Sequence, residues 1–313
     1  MLSYIVKRVA ATIPVLIFVG LFIFGLLFMA PGDPATLLAG DQATEQDLVQ
    51  IRNELGLDRP FAVQFLDWSG KVARGDLGTS IFSKKPVSEL IAQRLEPTLV
   101  LMVLTLVISV AVGVPTGVIA AFQHGSRLDT FVMSVSVLGF SLPVFVVGYL
   151  LAYVFALQLG WFPAQGYEPL AKGLWASVRS LFLPAIALSG VYSALIARTG
   201  RAAMLEILSQ DYVRTARAKG VPNRSILFVH ALRNAGVPLL TVIGMGVALL
   251  IGGAVVTETV FSIPGLGRLV VDAILQRDYP VIQGVVVFFS LLYVLVNLVI
   301  DLLYTVVDPR IRY

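Results

Sequence analysis

The sequence AGVPLLTVIGMGVALLIGGAVVT occupies residues 235–257 and holds 23 residues without a charged side chain. An α-helix needs about 20 apolar residues to cross the hydrocarbon core of a membrane, so this stretch predicts a transmembrane helix. Five further uncharged stretches, of 21, 25, 31, 17 and 20 residues, cover Val9–Met29, Thr98–Phe122, Phe131–Trp161, Leu181–Ala197 and Val281–Ile300. They are continuous rather than alternating, which favours helices over barrel strands. The sequence therefore predicts an all-α membrane protein with six transmembrane helices.

Composition agrees with this interpretation. The chain of 313 residues is 57% hydrophobic and 13% charged, against about 25% charged in a typical soluble domain. The first stretch follows Lys7 and Arg8 but is longer than the apolar region of a signal peptide, and no A-x-A-like site follows it. We interpret it as an uncleaved first span. The absence of cysteine excludes disulfides and thiolate metal sites.

The distribution of Lys and Arg predicts the orientation. If the amino terminus is cytoplasmic, twelve basic residues lie in the inner segments, and the short outer loops hold only Lys172, Arg179, Arg268 and Arg277. Cytoplasmic loops carry the excess of Lys and Arg, so both termini are predicted to be cytoplasmic. The net charge of +4 then reflects topology and predicts no nucleic-acid partner.

Four parts are predicted along the chain: a first transmembrane helix (1–30), an extracytoplasmic helical segment (31–96), a five-helix core (94–304) and a cytoplasmic tail (305–313). In the outer segment, Thr44-Glu-Gln-Asp47 has the pattern of a capping box. Pro60 can open a second helix, with an apolar face formed by Phe61, Phe65, Trp68 and Val72. Pro86 can open a third helix, with Val87, Leu90 and Ile91 buried.

Two features of the core concern helix packing. Gly113 and Gly117 form a small-residue pair at helical spacing, which permits close approach of another helix. The third span is too long for one straight crossing and contains Ser141-Leu-Pro143. A break near Pro143 is typical of a cavity-lining segment, whereas a tilted helix that is kinked for packing is the alternative.

The spans lack ionisable residues at their centres. Secondary transporters and pumps place such residues at mid-membrane to couple ions, whereas here Arg198, Glu258 and Asp301 lie at span ends and both histidines lie in loops. The energy for coupled transport must then come from elsewhere. A passive channel also agrees with this pattern.

The loop after the fourth span predicts a short amphipathic helix over residues 209–220. Ser209 can cap it, Asp211 and Lys219 match the two ends of the helix dipole, and Gly220 followed by Pro222 can terminate it. One apolar stripe is predicted to contain Leu205, Leu208, Tyr212 and Ala216. The residues alone leave two interpretations open, a helix that docks a partner and a helix that lies on anionic lipid.

The same loop carries a family resemblance. Arg214-Thr-Ala216, three residues and then Gly220 resemble the signature of bacterial ABC importer permeases, in which Glu-Ala-Ala is followed by three residues and Gly. The departure at Arg214 and Thr215 is typical of the dipeptide/oligopeptide/nickel branch, which the string Asp211 to Gly220 resembles almost letter for letter. The likeness extends over the whole chain, through Pro31–Pro34, Gly75–Gly78, Leu183-Pro184, His230–Asn234, Pro238, Gly252-Gly253, Glu258, Phe261, Pro264–Gly267, Asn297, Asp301–Tyr304 and Asp308–Tyr313.

The resemblance implies a type I ABC importer permease fold and a five-part import system. This chain would pair with a second related permease, two cytoplasmic ATPases and an extracytoplasmic binding protein, within the lipid bilayer. It would not be an enzyme and would hold no cofactor or metal, since ATP and Mg²⁺ would be bound by the ATPases. The first-permease type, and within it dipeptide or glutathione permeases, is most similar. Nickel and opine-type solutes are the alternatives within the family, and a self-contained channel or an ion-coupled secondary transporter is the alternative outside it.

Residue roles follow from the same resemblance. The residues implied to couple to the ATPase are Asp211, Tyr212, Arg214, Thr215, Ala216, Arg217, Lys219 and Gly220. An outer gate or a contact with the binding protein is assigned to Glu258, Arg268 and Asp278, with solvated loop charges as the alternative. A pathway lining that presents hydroxyls to a peptide is assigned to Tyr149, Tyr153 and Tyr192, with packing or interface anchoring as the alternative.

Overall fold

The computed structural model describes residues 2–29, 44–55 and 58–307. Its helices are α1 (Leu2–Met29), α2 (Glu45–Leu55), α3 (Phe61–Ala73), α4 (Val87–Phe122), α5 (Arg127–Ser141), α6 (Val144–Leu151), α7 (Leu174–Leu208), α8 (Asp211–Ala218), α9 (Gly236–Val260), α10 (Leu266–Gln276) and α11 (Tyr279–Val307). The prediction of an all-α membrane protein is confirmed. The motif at residues 31–34 and the carboxyl-terminal residues 308–313 lie outside the described residues.

Shorter helical turns lie between these helices. A π-helical turn, Ala152–Gln158, extends α6, and a 3-10 turn, Leu170–Lys172, precedes α7. Between α8 and α9 lies a stretch that we call the junction segment, residues 223–234. It consists of a π-helical turn, Ile226–Ala231, between two α-helical turns, Asn223–Ser225 and Leu232–Asn234.

Within the described ranges, four helices are long and apolar enough to cross a membrane, namely α4, α7, α9 and α11 as far as Tyr304. The pair formed by α5 and α6 with its π turn would be a fifth span. In α1, the apolar stretch is Ala10–Leu26. The chain is therefore a multi-pass membrane protein, while the count of six spans stays a prediction.

The third span is broken at Pro143. Helix α5 ends at Ser141, Leu142 is extended (φ −85°, ψ 128°), and Pro143 caps the start of α6. The two helices meet at a bend of 100°. Proline disfavours the helical conformation of the residue before it, which explains the extended Leu142. The predicted break is confirmed, and a cavity-lining role stays a prediction.

Two other helices are longer than the sequence pattern indicated. Val87 begins a helix after Pro86, as predicted, but this helix continues through Pro97 and Pro115 to Phe122. The third outer helix and the second span are therefore one element. Helix α7 likewise extends beyond the apolar stretch at both ends and reaches Leu208. The loop after the fourth apolar stretch, Leu181–Ala197, consequently begins near residue 209 rather than 198.

The described residues divide into two compact units. One comprises the residues up to Arg94 together with Leu269–Val294, and the other comprises Leu95–Arg268 together with the residues from Leu295 onward. The predicted boundaries near residues 30, 94–96 and 304 stay predictions.

In the first unit, α3 packs an aromatic face against α1. The ring of Phe24 lies 5.4 Å from that of Phe61, 5.7 Å from that of Phe65 and 5.6 Å from that of Trp68, measured between centroids. These contacts confirm the apolar face that was predicted from the spacing in α3. Pro60 precedes the first residue of this helix, also as predicted.

In the second unit, the small-residue pair of α4 lies against α7. A Cβ atom on Gly113 would lie 2.8 Å from the carbonyl oxygen of Ser193, and one on Gly117 would lie 2.6 Å from that of Ala197. The predicted close helix approach is therefore confirmed. Around it, buried side chains join α4, α7, the junction segment and α9 in one core cluster that includes Val118, Ala121, Ile196, Met204, Leu227, Ala231, Ala235 and Leu239.

Candidate functional site

Helix α8 is shorter than the predicted 209–220 and begins without the predicted cap. Gln210 is the residue before its first turn, and no side chain caps it. Ser209 belongs to the end of α7, where its Oγ donates to the carbonyl oxygen of Glu206 at 2.7 Å. The prediction of Ser209 as the cap was wrong because α7 extends to Leu208 and uses Ser209 for its own end. Asp211 does lie in the first turn of α8, at the positive end of the dipole.

The end of α8 agrees with the prediction. Gly220 has φ +76°, in the left-handed region that glycine adopts without steric strain. Its backbone N–H donates to the carbonyl oxygen of Arg217 at 3.0 Å, and that of Val221 donates to Ala216 at 3.1 Å. Pro222 then precedes the first turn of the junction segment. The chain therefore reverses sharply after α8, as the Gly-x-Pro pattern indicated.

The buried face of α8 differs from the predicted stripe. Leu205 and Leu208 belong to α7 and pack on its core cluster, and Tyr212 is 45% exposed. Val213 is the buried anchor, with an exposed fraction of 0%. Sequence reasoning missed it, although Val213 and Ala216 lie three residues apart and therefore on one helical face.

The rest of the α8 surface, with the residue that follows the helix, is polar, cationic and exposed. Arg214, Thr215, Arg217 and Lys219 are all exposed. Arg214 Nη1 lies 3.4 Å from Asp211 Oδ1, but the two side chains are 78% and 92% exposed, so this pair is weak. Three cationic side chains, those of Arg214, Arg217 and Lys219, are therefore exposed on α8 and at its end.

Asn234, which is not among the predicted site residues, forms a hydrogen bond with α8. Asn234 Nδ2 donates to Tyr212 Oη at 2.9 Å and to the carbonyl oxygen of His230 at 2.7 Å. His230 is four residues from Asn234 in sequence, whereas Tyr212 is 22 residues away. The Tyr212–Asn234 hydrogen bond joins α8 to the end of the junction segment.

A buried ion pair ties the first turn of α5 to α7. Asp129 is buried and accepts hydrogen bonds from Arg201 Nε at 2.6 Å and Arg201 Nη2 at 2.7 Å, and also from the N–H of Gly125 at 3.0 Å. His124 Nδ1 lies 3.3 Å from the same carboxylate. Sequence reasoning missed this pair, because no local signal connects residues that lie 72 positions apart.

Glu258 is inside the protein rather than in a solvated loop. Its side chain is fully buried and accepts hydrogen bonds from Thr98 Oγ1 at 2.6 Å and from the backbone N–H of Arg268 at 3.0 Å. Thr98 Oγ1 in turn accepts from the N–H of Leu266 at 2.8 Å. A Cβ atom on Gly265 would collide with the Glu258 carboxylate. The carboxylate therefore anchors the Pro264–Gly267 turn, while Arg268 itself is half-buried.

Asp278 is buried in the same way, within the first unit. It accepts hydrogen bonds from Ser80 Oγ at 2.6 Å and from the N–H of Ile81 at 3.1 Å. The alternative of solvated loop charges is contradicted for Glu258 and Asp278, because both side chains are buried acceptors. A direct contact of either side chain with a binding protein would need it to become exposed, so that role stays a prediction.

The three tyrosines assigned to the pathway lie in different environments. Tyr149 is 60% exposed and Tyr153 is 54% exposed. Tyr192 is only 5% exposed and packs beside Gly246, where a Cβ atom would lie 3.2 Å from its ring. The structure thus favours packing for Tyr192, and a pathway role of the other two stays a prediction.

Replacing Glu258 with alanine should lower the free energy of unfolding by about 3 kcal/mol, because two buried donors lose their acceptor and each buried donor left unsatisfied costs about 1–3 kcal/mol. Glu258→Gln keeps the shape and one acceptor oxygen and should lose less. Thermal unfolding of the purified chain in detergent measures the difference. Equal unfolding temperatures for the wild type and both variants would contradict the anchoring role.

The chain matches a known protein family over most of its length. Residues 113–313 match the family described as "Binding-protein-dependent transport system inner membrane component", and residues 1–102 match its N-terminal counterpart, "Binding-prot-dependent transport system membrane comp, N-term". The chain is 55% identical over 310 residues to the probable peptide ABC transporter permease protein y4tP of Sinorhizobium fredii, covering 99% of each chain. It is 42% identical over 313 residues to the glutathione transport system permease protein GsiC of Escherichia coli, covering 100% of each chain.

Solved structures show the same fold at lower identity. The chain resembles the inward-facing MetNI methionine ABC transporter with a TM-score of 0.59 and 18% identity, over 70% of this chain and 96% of that chain. The two family matches together span nearly the whole sequence. The chain thus belongs to the inner membrane components of binding-protein-dependent transport systems.

Proposed function

We propose that this chain is a permease subunit of an ATP-driven ABC importer for short peptides, and that α8 is its docking element for a cytoplasmic ATPase. The observation that carries the proposal is the geometry of α8. The helix is anchored by the fully buried Val213, while the side chains of Arg214, Arg217 and Lys219 are exposed. A helix that is fixed to its own chain and exposes cationic side chains suits a partner with a carboxylate-lined cleft.

The family match supports docking over the alternative of a helix on anionic lipid. A lipid-bound helix buries its apolar face in the membrane boundary, whereas the apolar anchor of α8 is already buried within the protein. The remaining face is left to bind by charge. The orientation that would place this face in the cytoplasm, with six spans and both termini inside, is part of the proposal.

The substrate class is taken from the relatives. Proteins named as peptide and glutathione permeases align with the chain over its full length. We assign short peptides or glutathione-like solutes to this chain, with nickel and opine-type solutes as the alternatives within the family. ATP and Mg²⁺ would bind only to the ATPase subunits, and this chain would hydrolyse nothing.

The assembly that follows has five parts. A second related permease completes the pathway, two ATPases bind below, and an extracytoplasmic binding protein delivers the substrate above. Closure of the ATPases would move the docked helices and alternate the pathway between its inward-facing and outward-facing states.

Copurification and flux measurements test this function together. The chain is tagged and expressed with the permease and ATPase genes that we expect beside its own gene, and is purified and reconstituted into liposomes. The ATPase should be retained, and uptake of a dipeptide should need both ATP and the binding protein. Solute flux through the chain alone, the result expected of a channel or an ion-coupled transporter, would contradict the proposal, as would an ATPase that is never retained.

A further inference from the structure

Helix α8 is attached to the rest of the protein mainly on the side of the junction segment. It packs against the π turn Ile226–Ala231 and against α7. The one side-chain hydrogen bond that the described residues show between α8 and another helical element runs from Asn234 Nδ2 to Tyr212 Oη, at 2.9 Å. Tyr212 therefore faces the junction segment with its hydroxyl, although nearly half of its surface is exposed.

The junction segment is continuous with the start of α9. The N–H of Ala235 donates to the carbonyl oxygen of Ala231 at 2.9 Å, and that of Leu239 donates to Ala235 at 3.1 Å. Ala231, Ala235 and Leu239 are also buried in the same core cluster. A displacement of the junction segment must therefore displace the first turn of α9.

The connection from α7 to α8, unlike that from the junction segment to α9, is not helical. The backbone leaves the helical conformation at Gln210, which has φ −70° and ψ 149°. No helical hydrogen-bond ladder crosses that residue. Helix α8 can thus change its angle to α7 at Gln210 while it stays attached to the junction segment.

Asn234 lies close to the irregular part of the junction segment. It is the last residue of the α-helical turn that follows the π turn. Its side-chain amide donates to the π-turn carbonyl oxygen of His230, at 2.7 Å, and to Tyr212 Oη. Single π turns interrupt the regular helical ladder and recur at functional sites. One side chain, two residues before α9 begins, thus joins the irregular turn to α8.

We propose that the Tyr212–Asn234 hydrogen bond is the joint through which movement of α8 is passed to α9. Tyr212 and Asn234 are then positioning residues for coupling, and Tyr212 is not itself an ATPase contact. This inference depends on the proposed function, in which α8 receives the ATPase. It adds the route that the movement takes and the two side chains that transmit it.

The assembled importer in proteoliposomes tests the joint. Tyr212→Phe removes only the hydroxyl, and Asn234→Leu removes both amide donors at similar volume. Each variant should keep the ATPase bound with unchanged affinity, while the amount of dipeptide imported per ATP hydrolysed falls about three- to tenfold, the range expected for the loss of one net hydrogen bond. The double variant should be no worse than Asn234→Leu, because both changes break the same contact.

Tyr304→Phe is the matched control. It removes a tyrosine hydroxyl that donates to Thr241 Oγ1 at 2.8 Å, which also touches α9 but not α8. Import per ATP should stay at the wild-type value in this control.

Three results would overturn the joint. Unchanged import per ATP in Tyr212→Phe would show that its hydroxyl transmits no movement, and additive losses in the double variant would show two independent contacts. Equal losses of ATPase affinity and uptake would make Tyr212 an ATPase contact instead. An ATPase that does not bind even the wild-type chain would contradict the proposed function rather than the joint. Tyr212→Phe decides the question even where Asn234→Leu fails to assemble.

Discussion

Replacing both Arg214 and Arg217 with glutamate should release the ATPase from the purified importer. Both side chains lie on the exposed face of α8, so the change reverses two charges where the partner is expected to place carboxylates. Like charges brought together at an interface cost several kcal/mol. We therefore expect the affinity for the ATPase to fall about 100-fold or more, which corresponds to about 3 kcal/mol. Titration of the ATPase against immobilised permease measures this affinity.

Arg224→Glu together with Arg233→Glu is the control for this experiment. Both residues are exposed in the junction segment, so the net charge and the charge of the loop change by the same amount. The ATPase should remain bound in the control. Equal release by the two double variants would mean that only general electrostatic attraction is involved, and retention after the α8 reversal would contradict the docking role.

Replacing Gly117 with alanine should destabilise the protein by about 3 kcal/mol, the upper part of the range for overpacking. The new Cβ atom would lie 2.6 Å from the carbonyl oxygen of Ala197, 3.1 Å from its Cα atom and 3.2 Å from the backbone nitrogen of Arg201. All three are backbone atoms, so a side-chain rotation cannot relieve the contact. Helices α4 and α7 would have to separate, which also disturbs the core cluster around them.

Gly252→Ala is the matched change for Gly117→Ala. Gly252 lies inside α9, and no atom lies within 4 Å of the Cβ position. Alanine favours a helix over glycine by about 1 kcal/mol, so this variant should be as stable as the wild type or more stable. Unfolding in increasing dodecyl sulfate compares the two variants. A Gly117→Ala variant that unfolds at the wild-type concentration would show that the close approach of α4 and α7 is not required.

The features that sequence reasoning predicted correctly depend on neighbouring residues. Gly220 ends α8 because its own φ is positive, and Pro143 breaks the third span because it restricts the residue before it. The aromatic face of α3 follows from helical spacing alone. In each case, the physical cause lies within a few positions of its effect.

The features that were missed depend on residues far apart in sequence. Thr98 and Glu258 are 160 positions apart, and Asp129 and Arg201 are 72 apart. A carboxylate that follows an apolar stretch has the same local pattern whether it is solvated or buried. The stripe through Leu205 and Leu208 failed for a related reason. Helical periodicity continues across Ser209 and Gln210, and neither residue marks the end of a helix as Gly or Pro would.

The bend between α5 and α6 interrupts the helical backbone at an exposed point of the chain. Ser141, Leu142 and Pro143 are all exposed there, at a point where the backbone is not helical. Hydrocarbon offers no partner for the peptide groups that such an interruption leaves outside the helical ladder. If α5 and α6 together cross the bilayer, the bend must face a neighbouring subunit or an aqueous channel rather than lipid. In the assembled complex, spin labels at Ser141 or Leu142 should therefore be in contact with water or protein and be little accessible to oxygen dissolved in the acyl chains.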